Sequence, residues 1–326
     1  MSDQRERTKC GHGPYFGCGT AALGLNVDYR QLGKSELRVS SIGMGCVTFG
    51  REIDRDTSFQ IMHNAFERGI TLFDTAEAYA SGSSETVLGE WLAERGVRDN
   101  VVLATKVSGI LTKNRIAMSV EQSLQRLRTD RIDLFQLHSW DEATPLEETL
   151  EAMNSLVEQG KVRYIGCSNF LAWQLAKALL LSAQRGLARF QSIQPPYNLV
   201  EREIEVDVLP LCSDQKIGVI SYSPLSAGFL TGKYRRGQEV PQGTRFAVIP
   251  GHQPIYFTDH GYAVLDRLAE AAQQSGRSMV QLALAWVLKQ PHVTSVLIGA
   301  RNTSQVDQAF EAAEAGIDDE LAQQLT

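Results

Sequence analysis

Short apolar runs alternate with segments of helical period along most of this chain. The strand-like runs fall at residues 39–45, 71–76, 101–107, 133–139, 164–169, 192–198, 218–224 and 293–300. Most are rich in Val, Ile, Leu or Phe without strict alternation, the pattern of strands buried on both faces. Between them, apolar positions recur at i, i+3 and i+4, as amphipathic helices require. These stretches occupy 57–68, 85–94, 120–127, 146–157 and 173–181, a shorter segment around Leu209 and Leu211, then 279–288 and 306–313. Pro145 suits a first helical turn, with Thr144 as its cap and Glu147 and Glu148 at the positive end of the helix dipole. Gly69 and Gly160 read as helix stops.

Strands and helices in strict alternation predict parallel pairing through right-handed crossovers, closed as an α/β (β/α)8 TIM barrel. A doubly wound sheet would want a Gly-rich turn leading into a helix after the first strand. The stretch IGMGCVTFG lacks that G-x-G-x-x-G order. Residues 25–40 predict an N-terminal β-hairpin turning at Gly33–Lys34, and 1–28 a flexible leader. Residues 29–326 then form one barrel without an internal boundary. After the seventh strand, 226–260 is rich in Gly, Pro, Arg and Gln and has little periodicity. A loop of that length predicts a functional lid.

Composition narrows the class. A length of 326 residues with 43% hydrophobic content suits a single barrel. A net charge of −6 argues against nucleic acid as a partner, since phosphate neutralisation needs a basic face. No apolar run has the length of a membrane span, and no apolar stretch follows the N-terminal charges as in a secretory signal. The five cysteines are odd in number and widely spaced, which predicts a reducing, cytoplasmic setting. Cys10, His12 and Cys18 lie close in sequence, but structural zinc wants four ligands with tighter pairing, so no metal is expected.

Strand ends at the C-terminal mouth of a barrel carry catalytic groups. Asp74 closes the second run, Tyr79 follows in the loop, Lys106 ends the third run and His138 the fourth. Each alone is an ordinary residue, but together they match what carbonyl reduction needs. Tyrosine is a proton donor whose usual pKa is about 10. A neighbouring ammonium is expected to lower that value, and a carboxylate to hold the ammonium in place. His138 would orient the carbonyl oxygen.

The stretches FDTAEAYASGSSETVLGEWL, ATKV, SLQRLRTDRIDLFQLH, GKVRYIGCSNF, IQPPYNL, VISYSPLSAGFLTGKY and SVLIGARNTSQV carry a resemblance. From about Tyr29 onward the chain resembles the aldo-keto reductase superfamily, NADPH-dependent (or NADH-dependent) barrels. That resemblance implies a catalytic tetrad of Tyr79, Asp74, Lys106 and His138. It implies that Ser168, Asn169 and Gln194 hold the nicotinamide carboxamide and that Tyr222 stacks on the ring. Ser223, Leu225, Gly228 and Lys233 would meet the pyrophosphate, and Gly299, Arg301 and Gln305 the adenosine end. Arg301 is suited to a 2′-phosphate and so favours NADPH. Two departures stand out. Ala309 occupies a position where relatives often have Asn, so one adenine contact is missing or falls to Gln308. Tyr79 is followed by Ala80–Ser81–Gly82, where many relatives have Tyr-Gly, which predicts a modestly different loop.

Cys46, Phe49, Trp140 and the neighbourhood of Phe229 are candidates for the substrate wall, with Phe49 and Trp140 suggesting an apolar or aromatic carbonyl substrate. Two other readings stay in view. One is a redox-sensing regulatory subunit that uses the same barrel to bind a partner protein, as in channel β subunits of the superfamily. The other is a barrel aldolase or isomerase with Lys106 as a Schiff-base nucleophile.

Overall fold

The computed structural model describes residues 27–326. Most of the expected leader, and the Cys10, His12 and Cys18 grouping, lie outside the described residues. Strands β1 (Tyr29–Gln31) and β2 (Arg38–Ser40) form an antiparallel hairpin. Eight parallel strands follow: β3 (Ile42–Gly45), β4 (Leu72–Asp74), β5 (Val102–Val107), β6 (Ile132–Leu137), β7 (Val162–Ser168), β8 (Phe190–Gln194), β9 (Gly218–Ser221) and β10 (Ser295–Ile298). They close into a barrel in sequence order, β10 pairing with β3.

The apolar run at 39–45 is two strands rather than one. It breaks at Ser41, whose N–H donates to Asp28 while its carbonyl accepts from Val296. Periodicity could not see the break because the residues on both sides of it are buried. Leu32, Leu37 and Val39 of the hairpin pack against Leu72, Val102, Leu134, Ile220 and Leu297, sealing one end of the barrel. Gly33 makes the close approach possible: at φ +61° a Cβ there would sit 2.3 Å from the Gln191 carbonyl oxygen.

Helices α1 (Arg55–Glu67), α2 (Ser83–Arg95), α3 (Lys113–Leu127), α4 (Leu146–Glu158), α5 (Ala172–Arg185) and α6 (Val208–Gln215) surround the strands. Gly69 and Gly160 follow α1 and α4 at φ +94° and +72°, as helix stops should. Thr144 does not cap α4. Its hydroxyl donates to Asp141 at 2.6 Å, and Pro145 takes the cap position without a side-chain bond.

The segment after β9 is not a featureless lid. It contains short helices α7 (Arg245–Val248) and α8 (Gln253–Tyr256), then α9 (Asp259–Ser275). Phe229, Tyr234, Phe246, Tyr256, Phe257 and Tyr262 pack ring against ring within it, with centroids 5.0–6.2 Å apart, giving the segment a core of its own. The buried face of α9, Val264, Leu265, Leu268 and Ala271, has helical spacing. That signal was present in the sequence but abutted the Gly- and Pro-rich stretch. The chain ends in α10 (Met279–Lys289), α11 (Thr303–Ala315) and α12 (Asp319–Leu325), of which α12 carried too few apolar positions to announce itself. Among the described residues no helix is long and apolar enough to cross a membrane.

Candidate active site

Successive strands deliver three charged or titratable groups to one mouth of the barrel. Asp74 is the last residue of β4, Lys106 lies near the end of β5, and His138 directly follows β6, its N–H donating to the Val107 carbonyl at 2.9 Å. The Lys106 ammonium is wholly buried. It donates to Asp74 Oδ1 at 2.5 Å, to the Thr75 carbonyl at 2.9 Å and to Tyr79 Oη at 3.4 Å. Asp74 Oδ2 accepts from the side-chain amides of Gln136 (3.1 Å) and Gln194 (2.9 Å). No lone pair facing the ammonium is wasted, and the charge pair is fully hydrogen-bonded, the condition under which burial is tolerable. Gln136 was not anticipated. It stands within the apolar stretch LFQL and looks like an ordinary strand residue until the barrel turns it inward.

Burial pulls the Lys106 pKa down, but Asp74 and Tyr79 together outweigh it and leave the value raised, so the group is an ammonium. Tyr79 departs from the sequence-based expectation. Burial pushes its phenol up, Lys106 offsets only part of that, and the net direction is upward. Tyr79 is therefore a protonated hydroxyl in this state. The rings of Tyr79 and His138 meet edge to face with centroids 5.7 Å apart. Burial first, and then the Lys106 charge, push the His138 pKa down to about 4, so its imidazole is neutral at physiological pH. Titration of the His138 ring followed by NMR should accordingly give a midpoint near 4. A midpoint at an ordinary 6.5 would contradict this placement.

The Ala80–Ser81–Gly82 departure is a run of left-handed backbone, with φ of 49°, 53° and 91°. Two non-glycine residues in that region are strained. The side chain of Arg126 packs against Gly82, where a Cβ would come 2.8 Å from Arg126 Cδ. Arg126 Nε in turn donates at 2.6 Å to buried Glu85, whose other oxygen accepts from Thr105 at 2.6 Å. Buried polar contacts thus hold the strained turn directly behind Tyr79.

Beside the four lies a cleft of about 380 Å³. Its lining includes Asp74, Tyr79, Gln194, Tyr222, Ser223, Leu225, Gly228, Lys233, Gly299, Arg301 and Gln305. Ser168 and Asn169 are tied to the same network. The Ser168 hydroxyl donates to the Gln194 carbonyl at 2.7 Å, Asn169 donates to the His138 carbonyl at 2.9 Å, and Tyr222 Oη donates to Asn169 Oδ1 at 2.8 Å. Gln194 is the last residue of β8, and its amide reaches Asp74. Ala309 is buried in the core, while Gln308 lines the cleft.

The substrate wall differs from expectation. Phe49 is 0% exposed and belongs to the core, because the chain after β3 turns inward there. Cys46 and Phe229 are likewise buried. Val47 and Thr48 line the cleft in their place. Trp140 is half-buried and packs edge to face on Phe170 (5.2 Å) and Trp173 (5.5 Å), outside the cleft lining. Arg245 was also missed. It lines the cleft and donates to Glu52 at 2.7 Å, joining the segment after β9 to the loop after β3. Arg301 donates to the Gly243 carbonyl at 3.0 Å. Lys233 has no carboxylate partner among the described residues, and burial, then Arg301, lower its pKa.

Residues 41–326 match the Aldo/keto reductase family. The chain is 38% identical over 300 residues to the aldo-keto reductase YhdN of Bacillus subtilis (strain 168), covering 87% of this chain and 88% of that protein. It is 36% identical over 321 residues to the uncharacterized oxidoreductase YrpG of the same organism, covering 92% and 95%. A probable voltage-gated potassium channel subunit beta of Arabidopsis thaliana is 33% identical over 302 residues, covering 88% and 92%.

Proposed function

The chain belongs to the aldo/keto reductase family, and from that premise we propose that it reduces an aldehyde or ketone to the alcohol, reversibly, with NADPH as hydride source and Tyr79 as proton donor. The observation that carries the reading is the Tyr79 hydroxyl, 3.4 Å from a buried ammonium and lining a cleft of about 380 Å³.

The donor set fits such a cofactor. Lys233, Arg245 and Arg301 gather along one part of the cleft, and among the described residues Lys233 has no carboxylate of its own to neutralise it. Ser223, Ser226, Ala227 and Gly228 all have positive φ, so the backbone turns tightly along the side of the cleft that carries Lys233. Gly228 sits at φ +92°, a left-handed form that suits glycine, with the Lys233 side chain beside it. Tyr222, Asn169, Ser168 and Gln194 would hold the nicotinamide end of that cofactor. When bound, that group supplies hydride to the carbonyl carbon.

The protein's own part is proton delivery and orientation. Neutral His138 can donate one hydrogen bond to the carbonyl oxygen, and Tyr79 Oη gives that oxygen its proton as negative charge develops. Lys106 stabilises the phenolate left behind, and Asp74 keeps Lys106 in place. The pocket takes small carbonyl compounds.

The test is a carbonyl panel followed at the nicotinamide absorbance, with NADPH and NADH in parallel. Steady turnover with NADPH is expected, and none with any aldehyde or ketone would overturn the reading. Arg301→Met should weaken NADPH binding about ten- to a hundredfold while leaving NADH within about twofold, the size of one charged hydrogen-bond set. Equal losses for both would remove Arg301 from 2′-phosphate recognition.

A further inference from the structure

We infer that Ser108, held by Glu77, is a positioning residue that keeps His138 in the tautomer with its proton on Nε2. This inference rests on the carbonyl-reductase reading, since a ring nitrogen must carry a proton to hold a carbonyl oxygen. Ser108 follows β5, two residues after Lys106, and its Oγ lies 2.8 Å from His138 Nδ1. Its N–H donates to Glu77 Oε1 at 2.7 Å, and its carbonyl accepts from Arg115 at 3.3 Å. Glu77 sits in the loop between Asp74 and Tyr79 with its side chain only 8% exposed. Its carboxylate also binds the Arg115 guanidinium and takes the Ser119 hydroxyl at 2.6 Å, while its own N–H donates to the Lys106 carbonyl at 3.2 Å. One carboxylate therefore fastens the Tyr79 loop, the end of β5 and helix α3 together, and Ser108 is the point on that frame that touches the histidine.

The direction of the Ser108–His138 bond follows from counting donors. Among the described residues the Ser108 hydroxyl has no other acceptor. If it accepted a proton from Nδ1, its own O–H would be left without a protein partner. If it donates to the Nδ1 lone pair, both groups are satisfied and the imidazole proton resides on Nε2. The backbone that carries the ring is also restrained, because the His138 carbonyl accepts from Asn169 and its main-chain N–H is tied to β5. Ring position and tautomer are thereby set before substrate arrives, which is what an oriented hydrogen-bond donor needs.

Ser108→Ala and Ser108→Thr distinguish positioning from simple packing. Nitrogen-15 histidine spectra of the wild type should show His138 protonated at Nε2. In Ser108→Ala they should show a mixture of tautomers, with kcat about five- to tenfold lower, the worth of one lost hydrogen bond. The NADPH dissociation constant should not move, the thermal midpoint should fall by no more than about 2–4 °C, and Ser108→Thr should restore both kcat and spectrum. A wild-type Nδ1–H tautomer, or an alanine variant whose spectrum or kcat matches the wild type, overturns the inference. The spectra require no turnover. A protein that reduced no carbonyl yet showed the Ser108-dependent Nε2 tautomer would sink the function while supporting the positioning.

Discussion

Tyr79→Phe should lower carbonyl reduction by about 10²- to 10⁴-fold, the usual contribution of a placed general acid. The variant keeps the ring that meets His138 and loses only the hydroxyl beside Lys106. NADPH affinity should therefore stay within about twofold, since no cofactor contact is assigned to that oxygen. Single-turnover decay of the nicotinamide absorbance, alongside a binding titration, separates the two quantities, and a fully active variant would remove Tyr79 from the chemistry. The pH dependence has a definite sign. Burial outweighs Lys106 and raises the Tyr79 pKa above its usual 10.0. The phenol thus remains a proton donor through neutrality, and reduction should not fall until the medium is more alkaline than that. Alcohol oxidation needs the phenolate as base, so its rate should climb with pH across the same range. A reduction rate that broke near pH 7 would require another acid.

What could be read in advance was whatever closes an apolar run. Asp74, Lys106 and His138 stand at the ends of apolar runs, and barrel closure brings strand ends to one place. Tyr79 came with them because it is only five residues past Asp74. The cleft residues near Tyr222 and Arg301 were legible through motif resemblance more than through periodicity. What was hidden depends on which way a side chain turns. Phe49 sits in a loop beside the site and looks like a wall residue, yet it points into the core. Gln136 sits in an apolar strand and looks inert, yet it completes the hydrogen bonding of Asp74. The direction of the Tyr79 pKa is hidden from the sequence for a related reason. An ammonium neighbour is visible as a sequence partner, whereas the depth of burial that opposes it is a property of the packed barrel. Arg245 was missed because it lies in a segment with no period, whose order comes from six aromatic rings packing on one another.

Asp74→Asn should be strongly destabilising, by about 3–5 kcal/mol, because it leaves a buried ammonium without its counter-ion. The geometry adds a further penalty. Gln136 and Gln194 both donate to Asp74 Oδ2. In the variant the amide oxygen must serve them, which turns the Asn NH₂ toward the Lys106 ammonium, donor against donor. With the carboxylate gone, burial dominates and the Lys106 pKa falls, since Asp74 is the main influence opposing burial. Lys106→Met alone should cost less, because Asp74 retains two amide donors. The double variant Asp74→Asn, Lys106→Met removes the clash and should recover at least half of the stability lost in Asp74→Asn, as buried pairs replaced together often do. Turnover should not recover with it, because Tyr79 has then lost the charge that stabilises its phenolate. Thermal midpoints and kcat measured on all three variants decide the matter. Stability regained without activity would mean that the pair is retained for the state of the Tyr79 proton and not for folding. A double variant as unstable as the sum of its parts would mean instead that the pair is part of what holds the barrel mouth together.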